Sequence, residues 1–161
     1  MLFEEGVSFP DIEFTLEGDV PQGWVMQGDE RLLTQALTNI YKNAGEAVLR
    51  FQDSSGDDRL IGTIATYLSL QDDIVVISVV DNGPGWPVPD KDRLLEPYVT
   101  TRESGTGLGL AIVKRIAEDH GGRLQLASQL NGERGAVVHM HLPVTPPAIS
   151  EPSPYDEKES L

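Results

Sequence analysis

Apolar residues at Leu33, Leu37, Ile40, Ala44, Ala47 or Val48, and Phe51 recur at steps of four and three. That spacing puts them on one stripe of a helix of about six turns. Gly28-Asp29 precedes the stripe. Asp29 is placed to cap the first turn, and Glu30 suits the positive end of the helix dipole. A long helix with one apolar stripe gains most of its stability from packing, so the rest of the chain has to supply a flat apolar partner.

The alternating segments supply it as a sheet. Ile12-Glu13-Phe14-Thr15-Leu16 alternates apolar and polar residues and reads as a strand. After a turn around Gly18-Asp19-Val20-Pro21, Trp24-Val25-Met26 reads as a second. Residues 52–58 read as a polar loop. Leu60 to Leu70 and Ile74 to Val80, separated by Gln71-Asp72-Asp73, read as a hairpin whose second strand is buried on both faces. Residues 82–106 are rich in glycine and proline and lack periodicity; a loop that long inside a domain is usually functional. A helix over about 107–119 stops at Gly121-Gly122. Arg123 to Ser128 and Ala136 to Leu142, joined through Asn131-Gly132, form a last hairpin. The sum is an α+β fold, a mixed sheet with helices on one face. With 161 residues the expectation is one domain over 10–143, a linker remnant over 1–9, and a disordered acidic, proline-rich tail over 144–161.

Composition excludes several functions. The absence of cysteine removes disulfides, thiolate metal sites and a thiol nucleophile. A net charge of −14 opposes nucleic acid or an anionic membrane as partner, since both need clustered cations. It leaves room for a small polyphosphate held by amides, one or two cations and a metal ion. Glu4 and Glu5 do not fit a signal peptide, and no apolar run is long enough for a membrane helix. This stretch is expected to be soluble and cytoplasmic, whatever anchor a longer protein carries.

Gly105-Thr106-Gly107-Leu108-Gly109-Leu110 runs straight into the second helix. A flexible loop opening a helix presents unpaired amides and a positive dipole end, which is a natural anion site. It is not a dinucleotide-binding turn, which would need glycine at Leu110. It is not a P-loop, since no Gly-Lys pair occurs, and the His-Arg-Asp and Asp-Phe-Gly tripeptides of eukaryotic-type kinases are absent. Asn39 and Asn43, four apart, emerge on one helix face beside the apolar stripe. Either they bond a neighbouring strand, or their amide oxygens serve a hard cation such as Mg²⁺. Asp81 ends a strand before Asn82-Gly83-Pro84-Gly85. Either it closes an Asx-turn, or it accepts a hydrogen bond from an exocyclic amine. Arg102, in Thr100-Thr101-Arg102, is either a solvated loop arginine or a phosphate contact.

Taken in order, Asn39-x-x-x-Asn43, Asp81-x-Gly83-x-Gly85, Glu96-Pro97-Tyr98 and Gly105-x-Gly107-x-Gly109 closely resemble the N, G1, F and G2 boxes. These mark the ATP-binding catalytic domain of bacterial sensor histidine kinases, in the superfamily shared with gyrase, Hsp90 and MutL. The resemblance spans about residues 10–143. Asn43-Ala44-Gly45-Glu46-Ala47 and Thr100 to Gly105 are most similar to the nitrogen-regulation sensors of NtrB and NtrY type. It implies a two-layer α/β sandwich of the Bergerat type with a mobile ATP lid over 86–104. It implies that Asp81 binds the adenine amino group, that Asn43 ligates Mg²⁺ and that Asn39 lines the same pocket. Gly83 and Gly85 would shape the adenine floor. Tyr98 would stand in place of the more usual Phe, and Arg102, next to Thr101, would reach the γ-phosphate. Gly105, Gly107 and Gly109 would hinge the lid, with Thr106, Leu108 and Leu110 counted in the nucleotide site.

Two departures accompany the resemblance. Many members carry Lys or Arg three residues after the second asparagine, where this chain has Glu46, so a phosphate cation is lost there. ATPase relatives hold a glutamate at the position of Asn39, and an asparagine cannot act as that base. This favours phosphoryl transfer over a gyrase- or Hsp90-like ATPase or switch, and the intact boxes disfavour a degenerate binding module. His120, His139 and His141 lack the His-Glu-x-x-x-Pro setting of a phosphoacceptor. His120 reads as a helix cap, and His139 with His141 as one face of a strand. The resemblance therefore implies ATP and Mg²⁺ as cofactors. It also implies a separate dimerisation and phosphoacceptor domain and a response regulator as partners, with no nucleic acid and no membrane contact by this stretch.

Overall fold

A computed structural model describes residues 9–56, 60–100 and 105–147. Strand β1 (Ile12–Gly18) is followed by helix α1 (Glu30–Ser55), then by β2 (Gly62–Gln71) and β3 (Ile74–Asp81). A 3-10 turn at Asp92–Leu95 precedes α2 (Gly109–Asp119). Strand β4 (Arg123–Ser128), a 3-10 turn at Leu130–Gly132 and β5 (Ala136–Pro143) complete the order.

One five-stranded sheet forms in the order β1-β2-β3-β5-β4. β1 runs parallel to β2, and every other neighbouring pair is antiparallel. The sheet is therefore mixed, as expected. The last strand inserts between β3 and β4, which sets Val79 of β3 beside Val138 and places the start of β5 against the end of β3.

Both helices lie on one face. Ala36, Ile40, Ala44 and Val48 of α1 and Val113, Ile116 and Ala117 of α2 meet Ile64, Val79, Leu126, Val138, Met140 and Leu142 of the sheet in a single core. Leu37 and Phe51, expected in the stripe, are only half-buried at its margin, and of the alternatives Ala47 and Val48 it is Val48 that is buried. Tyr41 is buried as well, and its hydroxyl is paired with Thr66 Oγ1 at 2.8 Å. Burial raises its phenol pKa, while that bond acts the other way.

Asp29 caps α1 as expected, its Oδ1 accepting from the amides of Arg31 (2.9 Å) and Leu32 (3.2 Å). The helix outruns the expected loop at residue 52 and ends at Ser55, with Gly56 left-handed behind it. Gln52 extends it by donating from Nε2 to the Leu60 carbonyl (2.8 Å), which ties the last turn to the approach of β2.

Trp24-Val25-Met26 does not form a strand. Val25 makes a single antiparallel bridge with Thr145, through amide bonds of 3.0 and 2.8 Å. The Val144 amide also donates to Asp73 O at 2.8 Å. Residues 1–8 and 148–161, the remaining linker and tail, lie outside the described residues. Among the described residues no helix is long and apolar enough to cross a membrane.

Candidate nucleotide site

A cleft of about 990 Å³ opens between α1, the start of α2 and the β3–β5 edge of the core. Asn39, Asn43, Asp81, Gly85, Gly105, Thr106, Gly107, Leu108, Gly109 and Leu110 all line it. Residues far apart in sequence therefore converge on one cavity.

At one end Asp81, 5 % exposed, closes β3. Its Oδ1 accepts two backbone bonds, from Gly83 N at 2.9 Å and from Ala136 N at 3.2 Å. No bond to Oδ2 occurs among the described residues, so one carboxylate oxygen remains for a ligand. The two readings of Asp81 are thus compatible, because the turn uses one oxygen and leaves the other. Burial pushes its carboxyl pKa above the ordinary range, and the two backbone bonds oppose that rise. Gly83 sits behind Asp81, where an added Cβ would stand 3.0 Å from Oδ1 and 3.3 Å from the backbone of Ala47 and Val48. A side chain there would push the turn off α1.

The β4–β5 connection braces this end. Gln129 Nε2 donates to the carbonyls of Asp81 (3.0 Å) and Arg134 (2.9 Å). Arg134 donates from Nε to Asn82 O (3.1 Å) and lies 4.0 Å over the Phe51 ring. Asn82 accepts from Thr63 N and donates to Ile61 O, and Trp86 Nε1 donates to Ala127 O at 2.6 Å. Sequence reasoning missed Gln129, Arg134 and Ala136. Their only signal is position after β4, and the register of β5 against β3 brings them to Asp81.

At the other end Asn43 faces the start of α2. A Cβ on Gly109 would stand 3.3 Å from the Asn43 side-chain amide. No side chain caps α2 at Leu108, so its first amides open towards the cleft. Gly107 has φ +67°, and a Cβ there would lie 2.6 Å from the Tyr98 carbonyl carbon. Its carbonyl accepts the Tyr98 amide at 3.0 Å, which stitches the glycine loop to residues 96–100.

Tyr98 is not among the residues that line the cleft. Its φ is +64° and the residue is 79 % exposed. Thr101 and Arg102 lie outside the described residues. Glu46 lines the cleft together with Lys42 and Arg50, two cations that the motifs do not include.

The histidines lie elsewhere. His120 ends α2, with Nδ1 donating to Ile116 O (2.7 Å) and Nε2 accepting the Asp29 amide (2.9 Å), so it caps one helix and latches the other. His139 and His141 share one face of β5; the first pairs with Ser78 Oγ at 2.8 Å and the second with Arg123 at 3.4 Å. Among the described residues no cluster of three metal-ligating side chains exists. A cation here would rely on Asn43, with Asn39 one turn away, on phosphate oxygens and on water. Mg²⁺, which keeps several waters, tolerates such a sparse donor set.

Residues 28–146 match a family described as histidine kinase-, DNA gyrase B-, and HSP90-like ATPase. The nitrogen regulation protein NtrY of Azorhizobium caulinodans is 43 % identical over 94 % of this chain and 19 % of its own length. The sensor histidine kinase ZraS of Escherichia coli is 38 % identical over 83 % of this chain and 25 % of its own. The chain thus spans about a fifth to a quarter of these relatives. Among solved structures, a mycobacterial sensor histidine kinase, MprB, superposes with a TM-score of 0.67 at 28 % identity, covering 84 % of this chain and 86 % of that one. The catalytic domain of histidine kinase ThkA gives 0.65 at 32 %, covering 84 % and 82 %. Full-length ShkA, solved in complex with AMPPNP, gives 0.64 at 30 %, covering 84 % and 26 %.

Proposed function

The chain belongs to the histidine kinase-, DNA gyrase B- and HSP90-like ATPase family, and on that premise we propose that it is the ATP-binding catalytic domain of a two-component sensor histidine kinase of NtrY-like type. It passes the γ-phosphoryl group of ATP to a histidine on a separate dimerisation domain, from which a response regulator takes it. The family binds ATP; Mg²⁺ belongs to this proposal, with Asn43 as its protein ligand. The reading places the domain in the cytoplasm, where ATP and the regulator are found.

One observation carries the reading. Asp81 keeps a carboxylate oxygen without a partner among the described residues at one end of the cleft, and Asn43 faces the open N-terminus of α2 at the other. An adenine amino group fits the first end and a polyphosphate the second. The bond between the γ-phosphorus and the β-phosphate oxygen breaks, a phosphorus–nitrogen bond forms on the acceptor imidazole, and ADP leaves. Asn43 would hold Mg²⁺, which would supply charge neutralisation at the phosphates. The residues of this chain orient the purine, present amides to the phosphates and leave water without an activating carboxylate at Asn39. The likeness to ZraS and MprB, both sensor histidine kinases, supports this direction.

Titration of the chain with AMPPNP and Mg²⁺ tests nucleotide binding, which should saturate at one site. Incubation with γ-labelled ATP and the dimerisation domain of the same protein should place acid-labile label on that domain. Steady ATP hydrolysis without label transfer would overturn the proposal.

A further inference from the structure

The contacts along α1 give the cleft a direction. Gly83, beneath Asp81, abuts the backbone of Ala47 and Val48, while Asn43, one turn earlier, faces Gly109. A purine held at Asp81 therefore sends its phosphates towards residues 39–43. A polyanion entering a chain of net charge −14 needs a local cation at that end. Three residues beyond Asn43 stands Glu46, of the wrong sign.

Among the described residues Lys42 and Arg50 are the cations on the cleft wall. Lys42, Glu46 and Arg50 are spaced by four and form one row along α1. Arg50 lies beyond Ala47, past the Asp81 end. Lys42 lies beside Asn43, at the phosphate end. It is exposed and forms no ion pair among the described residues. We propose that Lys42 is the phosphate-facing cation of this cleft, replacing the one that Glu46 cannot provide. The assignment rests on the ATP reading above. A lysine suits the role, because its ammonium carries three donors on a flexible stem that can follow a moving phosphate oxygen. Its exposure to solvent limits the effect to roughly fivefold in affinity.

The test titrates the full chain and its Lys42→Gln variant with AMPPNP, ADP and adenosine, each with Mg²⁺. The variant should bind AMPPNP about fivefold more weakly, ADP less so, and adenosine as before. Lys42→Arg should restore AMPPNP binding, and the deficit should shrink at high salt, as expected of an exposed charge. Unchanged AMPPNP affinity in Lys42→Gln, or equal weakening for adenosine, overturns the assignment. So does an unaltered chain that binds adenosine and AMPPNP equally. An unaltered chain that binds none of the three defeats the ATP reading itself, a separate result.

Discussion

Replacing Asp81 with asparagine separates ligand recognition from folding, because the two depend on different oxygens of one carboxylate. The amide side chain of the Asp81→Asn variant can keep its carbonyl oxygen on the Gly83 and Ala136 amides. Its NH₂ group then occupies the place of Oδ2 and meets the adenine amine donor to donor. The lost charge-assisted bond is worth about 1.5–3 kcal/mol, and two facing donors left unpaired add about 1–3 kcal/mol. A total of about 2.5–6 kcal/mol weakens AMPPNP binding by roughly a hundredfold to ten-thousandfold. A 6-oxopurine presents an acceptor at the same position, so the inosine analogue should lose far less, and the preference between the two bases should narrow or invert. Folding responds the other way. Burial raises the folded pKa of Asp81 above its unfolded value, so the protonated form is the one the fold favours. The associated stability is complete below the unfolded pKa and disappears as pH rises through the folded pKa. At neutral pH the native carboxylate thus carries a burial cost that the amide lacks. Asp81→Asn should melt no lower than the native chain at pH 7, and its relative advantage should fall as the pH is lowered into the carboxylate range. Isothermal titration and thermal melts on the same samples read both effects. Native-like AMPPNP affinity, or lost affinity accompanied by a lower melting temperature at pH 7, would refute the two-oxygen account.

Gly107→Ala places a Cβ at φ +67° against the Tyr98 backbone. It should destabilise the loop by about 1–3 kcal/mol, seen as faster proteolysis at residues 98–108 and weaker nucleotide binding. Gln129→Ala leaves the carbonyls of Asp81 and Arg134 without their shared donor. A stability loss of about 1–3 kcal/mol in denaturant melts should accompany a reduced preference for adenine over hypoxanthine. Loss of stability with base preference intact would make Gln129 a structural brace alone. Burial lowers the folded pKa of His139 below its ordinary value, so its neutral form stabilises the fold. That contribution is complete above the unfolded pKa and fades as pH falls towards the folded pKa. His139→Gln should therefore flatten the stability decline below neutral pH, with equal slopes counting against the assignment.

The fold was legible where the signal is local. Asp29, the stripe from Leu33 to Val48 and the hairpin around Asp72 follow from side chains within a few residues of one another. Strand order was not, because the insertion of β5 between β3 and β4 depends on pairings that no short window contains. Trp24-Val25-Met26 shows the same limit, since its alternation is real but its partner, Thr145, offers a single bridge. The end of α1 was misplaced because polar residues 52–55 resemble a loop until Gln52 finds Leu60.

At the site, the glycines and Asp81 were legible in the sequence, while the bonds that hold them in place were not. A sequence cannot divide a carboxylate into a bonded and a spare oxygen, nor tell that Tyr98 offers its amide to Gly107 while the residue stands exposed. Lys42 is the sharpest case. In sequence it is an ordinary solvated helix lysine beside an asparagine. On the ATP reading, the pair of close approaches, Gly83 to Ala47 and Gly109 to Asn43, gives α1 an adenine end and a phosphate end. Once the helix has that direction, the alternation Lys42-Glu46-Arg50 becomes a charge sequence read along a ligand. Glu46 then marks where the phosphate cation is absent, and Lys42, one turn earlier in the same row, marks where it can be regained.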